Sequence, residues 1–331
     1  MPPTRRVLIT GVSGPLGSRV AERLAADPAV EHVVGIDTRR PPAPLAGRIA
    51  FVEADLRSGD LAATLKAAAP HVVIHHDIVQ FPEPGRSVRA LHDLNVIGTL
   101  QLLAACSELP GLRALVVRGS ASIYGSSPDA PAFFTEDLAR SATLRTRFQR
   151  DVGELERLVE AFARRHPTVT CTVLRFQPVI GATVDTPIMR LFRAPVVPTL
   201  LGFDPRLQFV LDDDAIGAIA AAVAVPVRGA VNIAGDGTVS LARSLRRLGK
   251  PELPIPAPVY GPTVALLART GAVPPLNEDV MRYLRHGRGV DTTRMRRDLR
   301  FVPTHTTAEA IDAVAAAIRA PDAAARHGVA A

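Results

Sequence analysis

Residues 6–20 read RVLITGVSGPLGSRV: a β-branched apolar run, a turn carrying three glycines, and the opening of an amphipathic helix. A strand that runs through a glycine turn straight into a helix must pack that helix back onto its own sheet. The rhythm then repeats. Strand-like runs lie at 32–37, 49–54, 71–76, 114–119 and 170–176, with helical patterns at 18–27, 61–69 and 88–106 between them. These strands are continuously apolar rather than alternating, as expected where both faces of a parallel sheet are covered by helices. The expected fold class is therefore α/β, a doubly wound parallel sheet.

Beyond residue 176 the rhythm changes. Prolines gather in 178–205 and 251–275, while AVNIAG (230–235) still reads as a strand and TAEAIDAVAAAIRA (307–320) as a helix. The organisation expected is a Rossmann-type domain over 1–176 and a smaller α/β substrate region over 177–331, the two free to interleave. The tail PDAAARHGVAA is expected to fray.

Composition excludes several classes. The formal charge of +7 comes almost entirely from arginine, because Lys66 and Lys250 are the only lysines. The arginines are scattered along amphipathic segments and aromatics make up 4% of the chain, which argues for a solvated basic surface and against nucleic-acid binding. The most apolar stretch, 215–225, is shorter than the about 20 residues a membrane span needs. No signal peptide is expected, and Cys106 and Cys171, far apart in patterned segments, read as reduced buried thiols of a cytoplasmic protein.

The first strand leads into Thr10-Gly11-Val12-Ser13-Gly14-Pro15-Leu16-Gly17. Glycines there permit a tight turn, close approach of backbone to a pyrophosphate, and close helix–strand packing, while the helix N-terminus presents free N–H groups. Asp37 closes the second strand about 20 residues further on, where a carboxylate accepts hydrogen bonds from a ribose diol. A 2′-phosphate would be repelled, which favours NAD over NADP. Arg39 and Arg40 follow closely and could accept such a phosphate, so NADP stays open as the lesser alternative.

With these motifs the sequence resembles the extended short-chain dehydrogenase/reductases, specifically the NAD-dependent epimerase/dehydratase family. The resemblance continues through Asp55-Leu56, Asn95-Val96-Ile97-Gly98-Thr99, Gly119-Ser120-Ala121-Ser122-Ile123-Tyr124-Gly125, TEDLA (135–139) and LRFQPVIG (174–181). It implies an NAD site built from Gly11, Ser13, Gly14, Pro15, Leu16, Gly17, Asp37, Arg39, Asp55, Leu56, His76, Asp77, Asn95 and Ser120. It also implies a sugar-like ligand, and a homodimer formed through the helices 88–106 and 148–164.

The family moves a hydride while a tyrosine hydroxyl handles the proton, and a lysine four residues later lowers that tyrosine's pKa from about 10. The resemblance places the tyrosine position at Phe148 and the lysine position at Val152, and neither side chain can carry a proton. No other register restores the pair. Tyr124, Tyr260 and Tyr283 are followed four residues on by Pro128, Val264 and Gly287. Asp77 stands where the family places small residues after its fourth strand, and Pro178 replaces its asparagine in the strand entering the substrate region.

Ser120 falls on the family's active-site Ser/Thr; it could bond a substrate oxygen, or equally satisfy local backbone at a strand end. Asn95 is expected to hold backbone, and Tyr124 to be architectural. His71, His75, His76 and Asp77 invite a metal reading, but adjacent strand residues point to opposite faces and no metal site is expected. Asp212-Asp213-Asp214 read as a helix N-terminus and the run 294–300 as a solvated helix face.

Three functions remain open at this point. One is an NAD(P)-binding family member with absent or unconventional redox catalysis, serving as a sensor or scaffold. The second is an active epimerase/dehydratase or oxidoreductase with a rearranged proton relay, and the third is a fold retained without dinucleotide. The first is preferred, since the cofactor motifs are kept and the catalytic pair is not.

Overall fold

The computed structural model describes residues 4–43, 45, 47–80, 88–141 and 143–320. The tail 321–331 lies outside them. Seven strands form one all-parallel sheet. In chain order they are β1 (Arg5–Thr10), β2 (Val30–Asp37), β3 (Ala50–Glu53), β4 (Val72–His75), β5 (Ala114–Ser120), β6 (Thr170–Phe176) and a last strand, Gly229–Ile233. Across the sheet the order is Gly229–Ile233, β6, β5, β4, β1, β2, β3, which reverses direction between β1 and β4. Ligands of doubly wound sheets bind at that switch, outside the carboxyl ends of the strands.

Helices cover both faces: α1 (Pro15–Ala25), α2 (Leu61–Ala68), α3 (Val88–His92), α4 (Thr99–Ser107) and α5 (Arg147–Arg165) among them. The pattern at 18–27 placed the first helix three residues late, because Pro15 occupies its first turn, where the missing N–H costs nothing. The helix read over 88–106 is interrupted. Residues Asp93–Gly98 form a π-helical segment between α3 and α4. Inside it Asn95 spends its amide on Val79, accepting from the backbone N at 2.9 Å and donating to the backbone O at 2.9 Å, and Thr99 Oγ1 donates to the Asn95 carbonyl. Apolar periodicity cannot register such a side-chain insertion.

The core has two halves, one on each side of the sheet. One contains Val7 and Ile9 of β1 together with Phe192, Phe209, Leu245 and Ile311, so chain beyond residue 176 shares a half-core with the first strand. The other joins Leu8, Val73 and Leu115 to Phe148, Val152, Leu155 and Phe162 of α5. Among the described residues, no helix is long and apolar enough to cross a membrane. Both cysteines are free and buried, and burial pushes the Cys106 thiol up to about 12 and that of Cys171 to about 11.

Two polar junctions fix how α5 meets the rest. At its start Thr146 and Gln149 form a reciprocal capping box, and Asp279 completes it by accepting from Thr146 Oγ1 and Gln149 Nε2, both at 2.8 Å. Further along, Glu156 takes the guanidinium of Arg175 from β6 in a two-pronged pair, Nε–Oε1 2.9 Å and Nη2–Oε2 2.6 Å. Both members of that pair are buried, with side chains 6% and 9% exposed. Removing one member strands the other charge. Arg175→Met is expected to cost about 3–5 kcal/mol in urea unfolding, with much of the loss recovered in the Arg175→Met/Glu156→Leu double variant; a single-variant cost under about 1 kcal/mol would show that the pair holds nothing.

Candidate active site

The glycine turn has the form its sequence predicts. Gly11 sits at φ +68°, a conformation that L side chains rarely adopt, and the backbone of Asp77 lies against it. A Cβ on Gly17 would fall 2.1 Å from the Gly11 carbonyl oxygen, so only glycine lets α1 close on the turn. Pro15 and Leu16 open α1 directly behind Gly14, its N-cap. At the end of β2 the Asp37 carboxylate accepts from the backbone N–H of Ser13 at 2.9 Å and of Arg39 at 3.2 Å. The Ser13 hydroxyl donates to the Arg39 carbonyl. These residues fit a dinucleotide: a free helix N-terminus for the pyrophosphate and a carboxylate fixed beside the turn for a ribose diol.

Asp55 and Leu56 follow β3. Asp55 accepts from the backbone N–H and from Nε of Arg57, both at 2.9 Å, and Leu56 is buried against Gly98 of the π-helical segment. Asn95 therefore holds backbone, as anticipated.

The end of β4 is a neutral polar cluster. His75 is 1% exposed between Thr10 Oγ1 at 3.0 Å and Thr99 Oγ1 at 2.8 Å. Thr10 Oγ1 already accepts from the backbone N–H groups of His76 and Asp77, so its own proton goes to His75 Nδ1. His75 then donates from Nε2 to Thr99, whose hydroxyl donates to Asn95. His76 is also buried, and its Nε2 has no hydrogen-bond partner among the described residues. Burial lowers the pKa of both rings, that of His75 to about 4; for His76 the nearby Arg118 guanidinium adds to the effect. The Asp77 carboxylate acts through space on Arg118 and on Arg57, which offsets its charge beside the turn.

Past the cofactor groove a half-open cavity of about 70 Å³ opens. Ser120 and Phe148 face it together with Arg118, Gln177, Asp279 and Arg288. The Ser120 hydroxyl accepts from the Ser122 backbone N–H at 3.1 Å, so it caps the turn that follows β5 while lining the cavity. Val152 does not reach this space; it is 1% exposed in the core beneath α5. Tyr124 donates to Asn232 Oδ1 at 2.7 Å and accepts from Arg175 at 2.8 Å, with burial pushing its phenol up to about 12. Tyr283 donates to the Gln208 carbonyl at 2.6 Å, and burial likewise pushes its phenol up. Tyr260 is raised by burial as well.

Arg118, Gln177, Asp279 and Arg288 were not among the residues singled out from the sequence. Arg118 carried a usable signal: it lies two places before Ser120 in a strand, hence on the same face. Gln177 follows β6 directly. Asp279 and Arg288 lie about 130 and 140 residues after Phe148, and only the fold brings them back.

The other clusters have structural partners. Asp212 and Asp213 pair with Arg19 of α1, and Asp214 accepts from the backbone N–H groups of Thr304 and His305. In the basic run Arg294 donates to the Ala230 carbonyl and pairs with Asp298, while Arg296 pairs with Asp236, so that run ties its helix to the edge strand.

A doubly wound sheet, a strand–glycine turn–helix opening and a serine-bearing cavity beyond the β4–β5 edge define a dinucleotide-binding α/β protein of the extended short-chain type. The family profile "NAD dependent epimerase/dehydratase family" matches residues 7–234, and the chain belongs to that family. It is 36% identical over 310 residues to an uncharacterized protein of Mycobacterium tuberculosis, covering 92% of this chain and 82% of the relative. It is 28% identical over 316 residues to a 3-diazoavenalumate denitrifying reductase of a Streptomyces species, covering 91% and 96%. The fold matches the UDP-glucuronic acid 4-epimerase of Bacillus cereus, solved in complex with NAD, at a TM-score of 0.71 with 20% identity, covering 94% and 98%. A Tyr-to-Phe mutant of that epimerase has also been solved, with UDP-4-deoxy-4-fluoro-glucuronic acid and NAD bound.

The neutral histidines make stability pH-dependent. The folded His75 takes a proton only near pH 4, whereas an unfolded histidine does so near 6.5. The unfolded state therefore binds more protons between those values, and His75 contributes stability that is complete above about pH 6.5 and lost as pH falls towards 4. That loss amounts to about 3 kcal/mol, to which His76 adds in the same direction. Urea unfolding across this window is expected to show the decline, with a shallower slope in His75→Asn; a flat profile in the native chain would refute the assignment.

Proposed function

We propose that this protein binds NAD at the Gly11–Gly17 turn and Asp37, with Asp55, Leu56, His76, Asp77 and Ser120 along the groove, and performs no conventional tyrosine-dependent redox chemistry there. NADP is the lesser alternative, through Arg39. The observation that carries the reading is the Ser120 cavity, where Phe148 stands at the family's tyrosine position and supplies no hydroxyl. No other phenol can substitute: Tyr124 and Tyr283 are committed to internal hydrogen bonds, and burial raises all three tyrosines, the reverse of what a relay needs at neutral pH. Val152, at the lysine position, is apolar and buried. Loss of one phenol is compatible with binding in the Bacillus cereus epimerase, whose Tyr-to-Phe mutant holds both a sugar nucleotide and NAD. These features together support a binding role without turnover, as a sensor or scaffold.

A second reading keeps catalysis with a rearranged relay, Ser120 or a bound water taking the proton. It is favoured by the Streptomyces relative, whose name is that of a reductase and whose similarity spans nearly both chains. General acid–base help is worth about 10²–10⁴ in rate, so hydride transfer without it is slowed rather than forbidden.

Calorimetry with NAD and NADP, followed by absorbance of reduced cofactor with candidate sugar nucleotides, separates these readings. The expected result is NAD binding and no turnover. Turnover by the native chain would establish the second reading, and failure to bind either dinucleotide would remove both. Phe148→Tyr is the accessible half of the restored pair, because Phe148 faces the cavity; Val152→Lys would bury an ammonium. If the double variant folds and gains epimerase-type activity, the missing pair was the sole defect.

The reading also includes a homodimer through the segments 88–106 and 148–164, where Ile97 is 40% and Leu100 43% exposed. Sedimentation is expected to give twice the chain mass, and Leu100→Glu to return it to one.

A further inference from the structure

Two guanidinium groups line the Ser120 cavity without a carboxylate of their own. Arg118 reaches it from β5 and donates from Nη1 to the Ile78 carbonyl at 3.1 Å. Arg288, 6% exposed, donates from Nε to Gln177 at 3.3 Å and lies 5.0 Å from the centre of the Tyr283 ring. Its Nη1 also reaches the Gly125 carbonyl at 3.4 Å. A guanidinium carries five N–H donors, so these bonds leave most of Arg118's capacity unspent. Neither group forms an ion pair with a described carboxylate, in contrast to Arg175, which is bidentate to Glu156. Asp77 acts on Arg118 only through space. Asp279, which acts on Arg288, already accepts from Thr146 and Gln149.

The rest of the wall is largely apolar: Ile78, Phe148, Phe176, Ile188 and Val280. Withdrawing a cation from water without a bonded anion is unfavourable, and a ligand carrying the anion offsets that cost. A planar guanidinium matches a carboxylate, and apolar walls match a body that is neither a sugar nor a diphosphate.

We propose that this cavity binds a small carboxylic acid with an apolar or aromatic body, its carboxylate held by Arg118 under the positive potential of Arg288 and its body against Phe148 and Phe176. The proposal rests on the reading of the Ser120 cavity as the ligand site beside NAD, and names the class of ligand for it.

The test is calorimetry and thermal unfolding of the intact protein, with and without NAD, against cinnamate and benzoate, each matched with its neutral amide. UDP-glucose and inorganic phosphate supply the diphosphate and free-anion arms. The acids are expected to bind about tenfold or more tightly than their amides. Arg118→Gln should remove that preference and Arg118→Lys should restore part of it. Equal binding of acid and amide, no acid binding at all, or binding of UDP-glucose or phosphate in place of the acids would overturn the proposal. So would an Arg118→Gln variant that loses NAD and keeps the acid, since Arg118 would then belong to the cofactor. Failure of NAD to bind while the acids still depend on Arg118 would strike the cofactor reading alone.

Discussion

One buried guanidinium organises the half of this molecule built around β6 and α5. Arg175, near the end of β6, pairs with Glu156 of α5, donates to the Tyr124 hydroxyl and donates to the Glu136 carbonyl at 2.7 Å. Tyr124 passes the connection to Asn232 on the edge strand, and Asn232 reaches back to the carbonyls of Phe134 and Asp291. The backbone N–H of Asn232 donates to Glu136 at 2.9 Å. A strand, a helix, a turn, a loop and the returning chain are thus pinned by one charge. A half-satisfied network at this depth would be worse than an apolar core. The phenol of Tyr124 is consumed in that work, and a tyrosine so committed cannot also carry a proton to a substrate.

The same geometry shows that the fold does not depend on chemistry at Phe148 and Val152. Phe148 and Val152 lie one turn apart on the buried face of α5, in the same half-core as Leu155, Val159 and Phe162. A phenyl ring in place of a phenol keeps shape and loses only a hydroxyl. Valine in place of lysine removes a charge that would otherwise need a partner. The orientation of the helix rests on its capping box and on Glu156, not on chemistry at these two positions, so the packing carries no record of whether the pair is present.

The sheet, the glycine turn and the placement of Asp37 were legible because each follows from local rules: continuous apolar runs, glycine where φ turns positive or no Cβ fits, a carboxylate at a strand end. The absence of the pair was legible from spacing alone. What was not legible came from two sources. The π-helical segment depends on an amide of Asn95 reaching Val79, a contact invisible to periodicity. The charged residues of the cavity lie far apart in sequence: Arg118 on a strand, Gln177 after another, and Asp279 and Arg288 on and after the helix Glu278–His286. Their meeting is a property of the closed fold. Ser120 illustrates an intermediate case: its oxygen caps a turn, the structural reading, while its side chain also faces the cavity.

The distribution of charge across the site has its own logic. His75 and His76 are kept neutral by burial, so they add hydrogen-bonding groups at the end of β4 without adding positive charge beside Asp77. Arg118 then becomes the principal cation between the cofactor groove and the cavity. The family resemblance implies a lysine ammonium at the position of Val152 on α5. Here the positive charge enters from the sheet, two residues before Ser120. A charge delivered from β5 cannot tune a phenol on α5 that is not there, but it is well placed to orient an anion lying across the strand end.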